Sequence, residues 1–189
     1  LWVVNHEYTD DGLLHPDGMK NWSLEKVRKS QAAHGVTIAH IQKDEKGSWQ
    51  VVSGPYTRRI TGYTPCAISG PAAGSKYLQT ASDPKGRLAL GTINNCANGV
   101  TPWGTYLTCE ENINGYFVKK GKVSKEEQRI GINAKGFGYR WEEFDDRFNV
   151  DLNPNEPNRF GWVVEIDPRN PDQAPIKRTA LGRFKHEGA

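Results

Sequence analysis

Apolar residues fall in short runs, and Gly, Pro and Asn break every run. The runs cover residues 1–4, 36–41, 49–52, 88–93, 105–109, 115–118, 161–166 and 179–184. Their length and their Val, Ile, Thr and aromatic content predict strands. One stretch, SLEKVRKSQAA at 23–33, has helical periodicity, with Ser23 placed as N-cap and Gly35 just beyond its end. Residues 125–146 read either as a second short helix or as an irregular insertion. NPNEPNR at 153–159 reads as loop, and INNCANGVTPWG at 93–104 reads as a polar, Gly-containing loop around Cys96. Many short strands with few helices predict an all-β chain with a short helical insertion, built as a sandwich, barrel or propeller. GWVVEIDP at 161–168 favours propeller blades, because a strand ending in Ile-Asp-Pro before Arg-Asn-Pro-Asp suits a blade followed by a tight surface turn. No repeat of fixed period stands out, and blades with unequal insertions would hide one.

Composition changes this picture little. Six Trp, seven Tyr and six Phe supply bulky core material where the hydrophobic fraction is only 36%. The net charge of +3 comes from interspersed residues with no basic block, so nucleic-acid binding is not expected. No apolar run approaches the roughly 20 residues that span a bilayer, so no transmembrane segment is expected. A length of 189 residues suits one domain or part of a larger one. The chain opens on LWVVNHEY, a strand in progress, and closes on GRFKHEGA, just after another strand-like run. Both ends read as cuts through folded structure, so a fragment of a longer chain is expected. The lack of an export leader is then no argument for the cytoplasm. Cys66, Cys96 and Cys109 match no zinc spacing, and an odd count leaves at least one thiol outside any intramolecular disulfide.

Carboxylates at strand ends carry the candidate chemistry. VVNHEY ends in Glu7, TYLTCEEN in Glu110 and Glu111, and GRFKHEGA in Glu187. Inner strands of successive propeller blades converge on one channel, so carboxylates at matching ends would meet there. Their repulsion is relieved by a hard cation such as Ca²⁺, Mg²⁺, Mn²⁺ or Fe³⁺. Taken singly, each Glu is equally a solvated strand end or a partner for one of the 25 Lys and Arg. Alternation puts Glu111 on the face of Thr105, Leu107 and Cys109, and Glu110 on that of Tyr106 and Thr108. Glu111 is therefore the preferred ligand, and Glu110 is a second ligand or a salt-bridge partner. Cys109 reads as an inert core thiol. Cys96 reads as a thiolate ligand, a free thiol or a disulfide partner, and a site mixing Cys with Glu implies a transition metal beside any Ca²⁺. His6 and His186 read as supporting groups or packing. Arg58 and Arg59 read as an anion contact or, more simply, a solvated pair. No P-loop, dinucleotide fingerprint, G-x-S-x-G or H-E-x-x-H occurs.

Four segments in order along the chain, NHEY, INNCANGVTPWGTYLTCEEN, GWVVEIDP and LGRFKHEGA, resemble the PhoX-type bacterial alkaline phosphatases. The resemblance implies a six-bladed β-propeller with Fe³⁺ and Ca²⁺ ions bridged by an oxo group, hydrolysing phosphate monoesters to inorganic phosphate. It also implies twin-arginine export to the periplasm or beyond, and induction by phosphate starvation. Carried onto this sequence, it makes Cys96 an iron-binding cysteine and Glu187 an iron ligand. Glu111 becomes a calcium or bridging ligand with Glu110 as fallback, and Glu7 a calcium ligand. Cys96, Glu111 and Glu187 are thus the expected catalytic residues. Members of the family are several times longer, with further blades after the KHEGA segment. Residues 1–189 would then be a partial propeller domain, at most about half of the whole, inactive alone and expected to be monomeric. The alternative is a calcium-binding propeller interaction module without catalysis, which would hold calcium and no iron. A calcium-dependent propeller esterase or lactonase is a third reading, and it has no use for a cysteine ligand.

Overall fold

A computed structural model describes all 189 residues, which form three sheets and three short α-helices. Strand β1 (Trp2–His6) is followed by α1 (Asp11–Leu14) and α2 (Leu24–Ala33). The α2 helix starts where the sequence predicts: the Ser23 hydroxyl accepts from the Lys26 amide at 3.4 Å. Strand β2 (Gly35–Ala39) pairs antiparallel with β1 and with β5 (Arg58–Ile60), and β3 (Ile41–Lys43) and β4 (Trp49–Val51) form a separate hairpin. The largest sheet has six strands in the order β7-β6-β11-β10-β9-β8, with β6 at Pro65–Ser69, β7 at Leu88–Leu90, β8 at Asn95–Val100, β9 at Tyr106–Glu110, β10 at Val163–Ile166 and β11 at Ile176–Arg178. Only the β11–β6 junction is parallel. The mostly-β class with few helices therefore holds.

Two larger cores hold these pieces together, with a small third one at Ile68, Leu78 and Ala89. Val36, Ile38 and Ile60 of the three-stranded sheet pack on Tyr106, Val164 and Ile166 of the six-stranded one. Val27 of α2 packs with Ile93 and the buried side chains of 113–160, among them Tyr116, Phe117, Trp141 and Phe148. The segment that the sequence leaves open resolves into a helix, α3 (Lys125–Ile130). Its capping box pairs Ser124 with Glu127, and Gly131 ends it in the left-handed conformation. Beyond it, single 3₁₀ turns lie at Trp141–Glu143 and Asp146–Phe148, and another at Glu156–Arg159 occupies the expected loop.

Three expectations are overturned. Residues 93–104 are not all loop, because Asn95–Val100 is strand β8; its residues are weak strand formers, but β9 offers them an open hydrogen-bonding edge. Residues 115–118 are not a strand. They form a buried turn in which Val118 makes only isolated bridges, to Asn133 and Asn149. Residues 179–184 are not a strand either. Thr179–Leu181 is a 3₁₀ turn ended by Gly182 at φ 83, and the strand is β11 just before it. Arg58–Ile60 and Pro65–Ser69 are strands that apolar content does not reveal.

Candidate metal centre

Glu7, Cys96 and Glu111 come from three separate stretches of chain, and their ligand atoms all lie within 4.8 Å of one another. Each has its own local cause. Glu7 follows β1 by one residue, on the face shared with Val3 and Asn5. Cys96 sits in a β-bulge: Asn95 pairs with Glu110 and Asn98 with Thr108, so Cys96 and Ala97 together oppose Cys109. The extra residue kinks β8 and re-aims the thiol away from the ladder. Glu111 follows β9, where the strand opens, and its amide donates to the Asn94 carbonyl at 3.0 Å.

Asn5 ties all three stretches together. Its amide group donates to the carbonyls of Cys96 (3.0 Å) and Ala97 (3.1 Å). Its own oxygen accepts from the hydroxyls of Tyr106 (3.0 Å) and Thr108 (2.9 Å). One side chain thereby fixes β1 against both the bulge and β9. The last residues lie over the same bulge. The Ala97 amide donates to the Glu187 carbonyl at 2.7 Å, and the Ala189 carbonyl crosses Gly99 where a Cβ would stand only 2.0 Å away. Glu187 is exposed and lies outside the tight trio, but its charge reaches both Glu7 and Cys96.

The electrostatics are unfavourable without a cation. Burial, then the charges of Glu111 and Glu187, pushes the Glu7 carboxyl above its usual range. Burial, then Glu7, Glu111 and Glu187, pushes the Cys96 thiol up. Every charged group acting on these two is acidic. A multivalent cation reverses that balance. Bonds of about 2.0–2.6 Å from one ion to carboxylate oxygen or thiolate sulfur put two ligand atoms up to about 5 Å apart, which accommodates the observed spacing. The donor set fits such ions: oxygen suits Ca²⁺ and Fe³⁺, and the thiolate favours a transition metal.

Glu110 departs from its expectation as a fallback ligand. Its carboxylate is fully buried and accepts from Lys177 Nζ at 2.7 Å, the Thr92 hydroxyl at 2.9 Å, and the amides of Gly161 (2.9 Å) and Trp162 (3.1 Å). It is the salt-bridge partner that the sequence leaves open, and it fastens β9 to β11 and to the start of β10. Cys109 and Cys66 are buried, and burial pushes their thiols up to about 11 and about 12. His6 bonds Thr37 Oγ1 at 2.6 Å, and buried His186 bonds the Gly182 carbonyl at 3.0 Å and packs at a tilt against the Phe184 ring. Arg58 is half-buried and Arg59 remains exposed, but both spend guanidinium donors on the protein itself. Arg58 donates to the carbonyls of Tyr56, Asp167 and Pro168, and Arg59 to those of Ala32 and His34. The sequence gives no sign of Asn5 or Asn94. Asn94 is buried and left-handed at φ 49, a conformation that Asn adopts more readily than other residues with a Cβ.

Comparison with known proteins concerns the chain as a whole. The family model of alkaline phosphatase PhoX matches residues 1–189. A solved structure, Pseudomonas fluorescens PhoX in complex with vanadate, a transition state analogue, matches with a TM-score of 0.96 and 49% sequence identity. The match covers 99% of this chain and 33% of that one, so the chain spans about a third of the relative's length. No curated protein sequence matches.

Proposed function

The chain belongs to the alkaline phosphatase PhoX family, and from that premise we propose that it contributes part of the metal centre of a phosphomonoester hydrolase. The observation that carries the reading is the meeting of Glu7, Cys96 and Glu111 with no basic group among the charges acting on Glu7 and Cys96. The family is metal-dependent and extracytoplasmic. The finer proposal is Fe³⁺ with Ca²⁺, in a protein exported through the twin-arginine route to the periplasm or medium. Residues 1–189 form one part of a propeller domain that further chain completes.

Glu7 and Glu111 would hold the ions through oxygen, Cys96 would bind iron through its thiolate, and Glu187 would complete the set. Bound there, the cations supply Lewis acidity that neutralises charge gathering on a phosphoryl group. The chain's own part is to hold the ligands in register. Asn5 fixes the Cys96 carbonyl, the bulge turns the thiol out of the ladder, and the Glu187 carbonyl takes the spare amide of Ala97. The vanadate complex of the relative supports phosphoryl as the group acted on. Cys96 within the trio weighs against a calcium-only interaction module, which needs no sulfur.

The test is release of phosphate from an aryl phosphate by the intact polypeptide. The expected result is hydrolysis abolished by a chelator and restored by iron with calcium. Full activity after complete metal removal would overturn the proposal.

A further inference from the structure

Behind Glu111 lies a buried hydrogen-bond chain whose side chains are not themselves candidate ligands. His34 is fully buried; its Nδ1 lies 2.7 Å from the Ser30 carbonyl and its Nε2 lies 2.9 Å from the Tyr116 hydroxyl. A carbonyl only accepts, so Nδ1 carries the proton. In the neutral ring Nε2 then accepts, and Tyr116 donates to it. The Tyr116 oxygen is left with its lone pairs, which face the Asn94 amide nitrogen at 3.4 Å and the Tyr139 hydroxyl at 3.5 Å. With Nδ2 turned to Tyr116, the Asn94 Oδ1 accepts from the Asn112 amide, and the Asn94 carbonyl accepts from the Glu111 amide. Asn94 therefore grips two successive amides at the point where β9 ends, two residues before Cys96.

We infer that Tyr116 and His34 are positioning residues for the metal centre, acting through Asn94 to hold Glu111 against Cys96. The inference rests on the metal-centre reading above. The direction of every bond in the chain is dictated from the Ser30 end, so the Asn94 amide has one orientation. Aromatic packing keeps the chain rigid: Tyr116 stacks on Tyr139 at 4.3 Å, and Trp141 packs edge-on to His34 at 5.0 Å. Groups that orient metal ligands from outside the ligand set govern metal affinity in just this way.

Tyr116→Phe in the intact polypeptide removes the hydroxyl and keeps the stacked ring. The readout is the chelator concentration that strips half of the iron and calcium, beside the unfolding midpoint of metal-free protein. The expected result is a fall of about tenfold in that concentration, beside a lower metal-free midpoint because the buried His34 Nε2 loses its donor. A change smaller than about twofold overturns the inference, whatever the variant's stability. Asn94→Gly is the second arm, removing the same amide while easing the backbone. An equal loss of metal supports the inference, and parent-like retention overturns it even if Tyr116→Phe fails to fold. Parent protein that holds no metal overturns the proposed function and this inference together; a metal-loaded parent with indifferent variants overturns this inference alone.

Discussion

Replacing Lys177 with Met tests the reassignment of Glu110 from ligand to structural anchor. Both side chains are fully buried, 2.7 Å apart. Lys177 also donates to the Arg159 carbonyl at 2.9 Å and lies 3.9 Å from the Phe160 ring centroid. Methionine fills the space but removes the charge. Glu110 keeps its bonds from Thr92, Gly161 and Trp162 but loses the ammonium in contact with it. Breaking a buried pair from one side costs about 3–5 kcal/mol, which lowers the unfolding midpoint by several degrees, less the longer the unit that unfolds together. Glu110→Gln is destabilising for a different reason. All four groups facing the carboxylate are donors, so the new amide must turn its own N–H groups toward another donor, at about 1–3 kcal/mol. In the double variant both charges are gone, and it should lose less than the sum of the singles by about 0.5–3 kcal/mol. The assay is thermal unfolding of the intact polypeptide after metal removal, with iron and calcium counted per folded chain beforehand in the protein as purified. The reasoning requires a lower midpoint and unchanged metal content. It fails if Lys177→Met unfolds with the parent, or if Glu110→Gln sheds metal at unchanged stability, which would make Glu110 a ligand after all.

Further consequences concern the neighbouring groups. Asn5→Ala frees two carbonyls over the bulge and leaves the Tyr106 and Thr108 hydroxyls without their acceptor; it should cost about 1–3 kcal/mol and ease iron removal by chelator, and a variant that holds iron like the parent would contradict the clamp. Burial holds the His34 imidazole down at about 4 against an ordinary 6.5. Between those values the unfolded chain binds a proton that the folded chain refuses, so this contribution is complete above about 6.5 and falls by about 3 kcal/mol as pH drops to about 4. Denaturant midpoints across that window should decline with falling pH and flatten in His34→Gln, and an unchanged slope in the variant would exclude His34 as the cause. In folded, metal-free protein a maleimide should label Cys96 and spare Cys66 and Cys109, whose thiols are buried; labelling of either buried thiol at a comparable rate, read by mass spectrometry, would contradict the packing.

Much of the site is legible in the sequence because its residues break local patterns. Glu7 and Glu111 each end an apolar run, and alternation along β9 is enough to separate Glu111 from Glu110. The turn of Glu110 toward Lys177 follows the face that alternation assigns it, but its partner lies 67 residues away in sequence and carries no local mark. Strand β8 is invisible because NCANGV has almost no strand propensity and takes its form from the edge of β9. The run at 179–184 misleads in the opposite sense: its apolar content is real, but Gly182 at positive φ and the buried Thr179, whose hydroxyl donates to the Ser69 carbonyl at 2.7 Å, turn it away from the sheet. Asn5 and Asn94 act through backbone carbonyls and amides that only tertiary pairing brings near, so neither leaves a trace in the one-dimensional pattern.

Elemental analysis of the intact polypeptide, as purified and after Cys96→Ala, measures the central claim most directly. The account predicts iron together with calcium in the parent, and loss of iron with retention of the fold in the variant. Calcium without iron in the parent, or an undiminished iron content once the sulfur is gone, would contradict it.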